Sequence, residues 1–372
     1  MHNRTSPEFS RWMDVMKGLA ILEIVMFHFF GDHGWTALKF EMYQSGQASP
    51  DLWMKIESIF LQATRVGSQG IHVFFFMSGV GLAASGLKNQ VAPRTFLWKR
   101  LSRIYPAFLL ALILVVLLQV TTGQSDSWGY YWEAVAASVV LVRNYSFDWI
   151  RTINGNWWFV CALVPMYVLY LLTRARFLVN PLLWGAAMFV VSFSYKVALA
   201  VLLTRGVISF DAGQLNPYTA FFLNYSWEFF AGVAFMIGGG WNWLERQSAA
   251  MLLALSAVGV TFQLIGIVLG GHDIGRIFND DLFAVSQIIL LSCLYIAASR
   301  LSLSRFLKLA AWVGAGSYGL YLIHHPVSRT LVHYQWAPSS VAIVAAAFCV
   351  YFAVCLTIGR GVDRAASYFS VR

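Results

Sequence analysis

The sequence predicts an all-α fold, a polytopic transmembrane helical bundle of about ten spans with one short outer interfacial or re-entrant segment. Three observations lead there. The chain is 59% hydrophobic and only 12% charged, where a soluble domain carries about 25% charged residues. The apolar residues fall in blocks close to the roughly 20 residues that a helix needs to cross about 30 Å of hydrocarbon. Backbone amides in lipid must be satisfied within the segment, so those blocks are read as helices. The 15 Trp and 16 Tyr fit as well, because both rings favour the membrane–water interface.

Taken in order, the spans are read at 12–31, 68–87, 104–121, 156–173, 182–203, 218–238, 249–270, 282–299, 308–328 and 340–359. The apolar segment 130–143 is short for a crossing. Basic residues decide its place, since they collect in cytoplasmic loops. Arg4 and Arg11, then Lys88, Arg94, Lys99, Arg100 and Arg103, then Arg174 and Arg176, Arg300, Arg305 and Lys308, and finally Arg360, Arg364 and Arg372 share one side only if 130–143 does not cross. Both termini are then cytoplasmic, and 130–143 lies at or dips into the outer interface. The loop 32–67, mixed in charge, is the longest on the outer side. No repeat or low-complexity linker divides the chain, so residues 1–372 are expected to form a single domain. The first apolar stretch holds Glu23 and His28 and no small-residue cleavage site, so it is expected to stay as a span. The net charge of +9 reflects cytoplasmic loops and calls for no nucleic acid. Cys161, Cys293, Cys349 and Cys355 sit in apolar blocks without a CxxC spacing and read as core hydrophobes.

Titratable groups at bilayer depth are costly and therefore functional candidates. The first span carries Lys17, Glu23 and His28. Lys17 and His28 are 11 residues apart, about 16 Å along a helix and close to three full turns. The two side chains then face roughly the same way, Lys17 near the cytoplasmic end and His28 near the outer end. The bland alternative has Lys17 snorkelling to the headgroups and His28 making a packing contact. The ninth span brings His324 and His325 to the depth of His28, and His72 opens the second span at the same level. Imidazole exchanges protons near neutral pH, which suits general acid–base work. Zinc is a competing ligand for such histidines, but no HxH or HxxxH pair within a span prearranges one, and no metal is expected. Glu228 and Lys196 read as structural, Lys196 as a residue that snorkels outward.

Lys99, Arg100 and Arg103 stand at the cytoplasmic mouth of the third span. Guanidinium groups bind phosphate bidentately, and plain topogenic charge or lipid phosphate contact is the alternative. A phosphate site inside and a histidine outside suit a phosphorylated cytoplasmic donor serving an outward acceptor.

Five segments in order resemble the acyltransferase 3 family of membrane O-acyltransferases. They are Asp14-Val-Met-Lys17-Gly-Leu-Ala followed by His28, Phe74-Phe-Phe-Met-Ser78-Gly79, Lys99-Arg100-x-x-Arg103-Ile-Tyr-Pro106, Trp157-Trp-Phe with Tyr167, and Gly316-Ser317-Tyr318-x-x-Tyr321-Leu-x-His324-x-Pro326. The resemblance implies transfer of an acyl group, usually acetyl from acetyl-CoA as co-substrate, to a sugar hydroxyl. The acceptor would belong to an exopolysaccharide, O-antigen or related glycan, or to a lipid-linked sugar, and the setting would be a bacterial inner membrane. His28 is then the catalytic histidine and Lys17 takes the basic position ahead of it. Ser78 and His324 would position the thioester carbonyl or the acceptor. Lys99, Arg100 and Arg103 would hold the CoA phosphates. Gly79 and Gly81 would let backbone approach the pantetheine arm. Lys17 stands where many members carry arginine, and the stretch Trp158-Phe-Val-Cys161-Ala lacks the glutamate that many carry, so no carboxylate partner is located. Glu23 and His324 remain candidate partners of His28. A proton-coupled transporter or flippase also uses buried Lys, Glu and His, although its usual related halves are not seen here. A membrane scaffold would leave the buried charges unexplained.

Overall fold

The computed structural model describes residues 6–32, 64, 66–86, 92–127, 129–210, 215–334 and 341–369. Most of the loop 32–67 lies outside the described residues. The described residues form helices and turns without a strand. In order the helices are α1 Pro7–Asp32, α2 Gly70–Gly86 after a 3-10 turn at Val66–Gln69, α3 Pro93–Thr121, α4 Tyr131–Val139, α5 Phe147–Arg151, α6 Trp158–Val179 and α7 Pro181–Thr204. There follow α8 Ser226–Ile237, α9 Gly240–Glu245, α10 Ala249–Leu269, α11 Asp273–Arg300, α12 Ser304–Ala315, α13 Ser317–His333 and α14 Val341–Ser367.

Seven of the ten expected spans are met by helices long and apolar enough to cross a membrane, at 66–85, 93–121, 155–179, 181–204, 249–269, 273–300 and 343–367. The protein is a multi-pass membrane protein. Helix ends follow local chemistry. Pro93 and Pro181 start α3 and α7, where a missing N–H costs nothing. Asn180 and Ser248 cap α7 and α10 by accepting from Leu183 N at 3.0 Å and Met251 N at 3.2 Å. The helices α7, α10 and α14 present mostly exposed apolar surface, which suits lipid.

The other three expected spans depart from the simple picture. The span at 12–31 is one long helix, α1, but Glu8, Arg11, Asp14, Lys17, Glu23 and Asp32 make it too charged for a lipid-facing crossing. It is instead the bundle's interior helix, with Trp12, Val15, Met16, Ala20, Ile21, Val25 and Phe29 fully buried. The span at 218–238 is helical only from Ser226 to Ile237, twelve residues or about 18 Å. Asn216 and Pro217 set a turn there, with Asn216 Oδ1 accepting from the Tyr218 and Thr219 amides at 3.0 Å each, and this turn chemistry overrides hydropathy. The span at 308–328 breaks between α12 and α13 with a bend of 72° at Gly316. In 130–143, only α4 is a regular helix of nine residues, about 13 Å long. That is too short to cross.

Glycines set the closest helix contacts. A Cβ on Gly314 would lie 1.7 Å from the Asp14 carbonyl oxygen, and one on Gly18 would lie 1.9 Å from that of Ala310. The backbones of α1 and α12 therefore touch directly. Gly79 serves α2 against α8 in the same way, because its Cβ would meet the Phe229 oxygen at 1.9 Å. The expected role of Gly79 beside a pantetheine arm is thus corrected: it packs helix on helix.

Candidate active site

Two of the bundle's cavities hold the expected site residues. The first, of about 460 Å³, is walled by α1, α2, α3, α6, α12, α13 and α14, and Lys17, Ser78, Gly81, Arg100, Arg103 and Tyr318 line it. Three basic residues from α1 and α3 thus share one chamber. Lys17 pairs with Asp14 at 2.7 Å one turn earlier. Arg100 is half-buried, reaches the Ser85 hydroxyl and stands 5.6 Å from the centre of the Phe96 ring. Arg103 is more open to solvent. Asp363 also lines this chamber, but its Oδ2 accepts from the Gly319 amide at 3.1 Å at the start of α13. Lys99 is exposed and is not among the lining residues. Pro93–Arg103 is helical and continuous with the span, and on it Lys99 falls at the outer edge of the arc of about 100° that it shares with Arg100 and Arg103.

The second cavity, of about 510 Å³, is lined by His28, His72, Asn156, Trp158, Tyr225 and Asp280 among others. His28 lies three turns beyond Lys17 on α1, and so the two residues face different chambers. Tyr321 of α13 lines both, and among the described residues it is the one the two linings share. Its ring stands 5.6 Å from Phe159 and 6.1 Å from His324, and its hydroxyl is buried. Ser78 belongs to the basic chamber and not to the His28 cavity.

The expected clustering of histidines holds for three of the four. The His28 ring centre lies 4.6 Å from that of His325 and 5.4 Å from that of His324. His324 is buried, and its Nδ1 is 3.0 Å from the Leu320 carbonyl oxygen. A carbonyl only accepts, so Nδ1 carries the proton and Nε2 accepts from Asn156 Nδ2 at 3.2 Å. Both nitrogens of His324 are thereby engaged. His325 donates from Nδ1 to Asn154 Oδ1 at 3.0 Å. His28, half-buried on the cavity wall, is the member of the trio that lines the cavity. Glu23 lines neither chamber.

The loop that delivers these asparagines is built on Arg143. Its fully buried guanidinium donates from Nη2 to the carbonyls of Trp149, Ile150 and Thr152 at 3.1, 2.7 and 2.8 Å. Burial pushes Arg143 down to about 10, so it remains a cation at neutral pH. Trp157 then donates to the Leu322 carbonyl at 3.1 Å, locking the loop onto α13. The sequence reading named none of Arg143, Asn154 and Asn156. Their one signal is polarity: an Arg and three Asn, with Asn144, between apolar blocks.

His72, the fourth histidine, turns away from the trio. Its Nδ1 lies 2.9 Å from Glu228 Oε1, and both side chains are buried. Its Nε2 is 3.8 Å from Asp280 Oδ1. Glu228 therefore has a partner. Lys196 is corrected too: it does not snorkel, being fully buried and paired with Asp281, which also accepts from Trp227 Nε1 at 2.7 Å. Snorkelling needs a route to the interface, and α11 supplies a carboxylate instead.

The sequence matches the acyltransferase domain family, acyltransferase 3, over residues 10–360. The chain belongs to this family. No curated protein and no solved structure matches it significantly. The match takes in Lys17 and His28 on α1 and the whole lining of the His28 cavity, and ends at Arg360 on α14, before Asp363 of the basic chamber. The transporter and scaffold alternatives give way to a membrane acyltransferase.

Proposed function

We propose that this acyltransferase moves an acetyl group from cytoplasmic acetyl-CoA to a hydroxyl of a sugar in an exopolysaccharide, O-antigen or related glycan, with His28 as the catalytic base. The observation that carries this reading is the pair of chambers, one basic and one holding His28, that meet at Tyr321. Arg100, Arg103 and Lys17 hold the donor phosphates, since three cations in one chamber suit a polyanion. The thioester reaches past Tyr321 towards His28. Ser78 contacts the arm on the donor side, and His324, fixed by Leu320 and Asn156, holds the His28 ring in place. The acceptor hydroxyl gives its proton to His28 while its oxygen bonds to the thioester carbonyl carbon. The C–S bond then breaks, and the thiolate takes that proton from His28 and leaves as CoA thiol. No metal is required. The bias of basic residues to one set of loops supports cytoplasmic termini, with the acceptor chamber on the outer side of a bacterial inner membrane.

The test uses purified full-length protein with labelled acetyl-CoA, reading thiol release and label transfer. His28→Ala lowers transfer by about 10²- to 10⁴-fold, the usual worth of a general base. Full transfer by the variant refutes the assignment.

A further inference from the structure

Five ionisable groups lie together near the His28 cavity with no part in the reaction so far: His72, Lys196, Glu228, Asp280 and Asp281. Two adjacent carboxylates on α11 are treated differently. Asp281, 14% exposed, is spent inside the bundle on Lys196 and Trp227. Asp280, 33% exposed, lines the cavity. The Glu228 carboxylate beside His72 is fully buried. A carboxylate only accepts, so His72 donates to it from Nδ1, and this fixes the ring and leaves Nε2 directed towards Asp280. The 3.8 Å between Nε2 and Asp280 is too long for a hydrogen bond. The two groups therefore stand side by side at the cavity wall with capacity to spare. A buried ion pair is weak as a source of stability, and an apolar pair would serve packing as well. Around them, Asn156, Asn224 and Thr219 supply amide and hydroxyl groups, and Trp158 and Tyr225 supply ring surfaces. Polar edges beside aromatic faces suit a pyranose ring, whose hydroxyls lie at its rim and whose C–H faces are apolar.

We propose that His72, held by Glu228, and Asp280 form an acceptor subsite that binds neighbouring hydroxyls of the sugar and so presents a further hydroxyl to His28. One hydroxyl accepts from Nε2–H of the His72 imidazolium and its neighbour donates to Asp280. Glu228 is a positioning residue that acts through His72. The inference rests on the acyltransferase reading above and names the groups that choose its acceptor. A site built to hydrogen-bond hydroxyls discriminates strongly against acceptors that lack them.

The experiment uses the purified full-length chain in detergent with acetyl-CoA and, as acceptors, the methyl glycosides of glucose, galactose, mannose, rhamnose and N-acetylglucosamine. CoA thiol release is read against the concentration of each partner. Wild type is stimulated by at least one glycoside. His72→Gln and Asp280→Asn each raise the KM of that glycoside by about tenfold or more, the equivalent of one lost charge-assisted hydrogen bond. They leave the KM of acetyl-CoA within about twofold. Glu228→Gln gives a smaller rise, and Glu228→Asp restores part of it. Unchanged glycoside KM in both His72→Gln and Asp280→Asn overturns the subsite, as does a parallel loss of donor and acceptor affinity, which marks a structural role. A wild type that no glycoside stimulates overturns it as well. If His28→Ala retains wild-type thiol release, the base assignment itself fails, and that result is separate from the other three.

Discussion

The two arginines of the basic chamber should not contribute equally to donor binding, and the inequality follows from their surroundings. Arg100 is half-buried, backed by the Phe96 ring at 5.6 Å and steadied by the Ser85 hydroxyl. Arg103, three residues on, faces solvent more fully. A charge-assisted hydrogen bond in a desolvated setting is worth about 1.5–3 kcal/mol, whereas an exposed ion pair contributes about 0–1 kcal/mol. At 1.4 kcal/mol for each factor of ten, Arg100→Ala weakens CoA binding by about 10- to 100-fold and Arg103→Ala by at most about fivefold. Arg100→Lys recovers only part of the loss, because an ammonium keeps the charge but not the planar fork that pairs with phosphate. The assay is titration calorimetry of CoA and of dephospho-CoA into detergent-solubilised protein at low and high salt. Added salt should weaken Arg103 more than Arg100, since screening acts on exposed charge. Equal dissociation constants for wild type and Arg100→Ala would refute the placement of the donor phosphates. A larger effect at Arg103 than at Arg100 would refute the use of burial to rank them.

Two further outcomes follow from the packing. Gly314→Ala puts a Cβ at 1.7 Å from the Asp14 carbonyl oxygen and should destabilise the bundle by about 3 kcal/mol, read as a lower melting temperature in detergent. Gly361→Ala, on an exposed helical site where a Cβ meets nothing within 4 Å, should be neutral or slightly stabilising and serves as its control. Tyr321→Ala removes the ring shared by the two chambers, so proteoliposomes bearing this variant should leak protons, while Tyr321→Phe stays as tight as wild type. A tight Tyr321→Ala vesicle would mean that another group closes the passage.

Much of the fold was legible because lipid leaves a chain few choices. An apolar block of bilayer length must be helical, and seven helices met that expectation. The departures come where a local rule outweighs hydropathy. Asn216 and Pro217 impose a turn inside an apolar stretch, and Gly316 permits a bend of 72° inside another. At the site, the rule that a titratable group in the membrane is a functional candidate pointed to His28, Lys17 and the histidines of α13. That rule states that a buried charge must have a partner, but not which one. Lys17 and His28 share one helix, and their spacing pointed to a common face, yet the packing of α2, α3 and α13 divides that face between two chambers. Lys196 and Asp281 are 85 residues apart, and His72 and Glu228 are 156 apart. No periodicity links residues at such separations, because their meeting is set by how α2, α7, α8 and α11 pack. Asn154 and Asn156 escaped for a different reason. They orient His325 and His324 from a loop, and an amide in a polar loop carries no cost that would mark it out. A histidine in an apolar block is thus a pointer to chemistry, while the group that tunes it is found only where the backbone brings it. In this acyltransferase the buried carboxylate of α8, Glu228, stands beside His72 rather than His28.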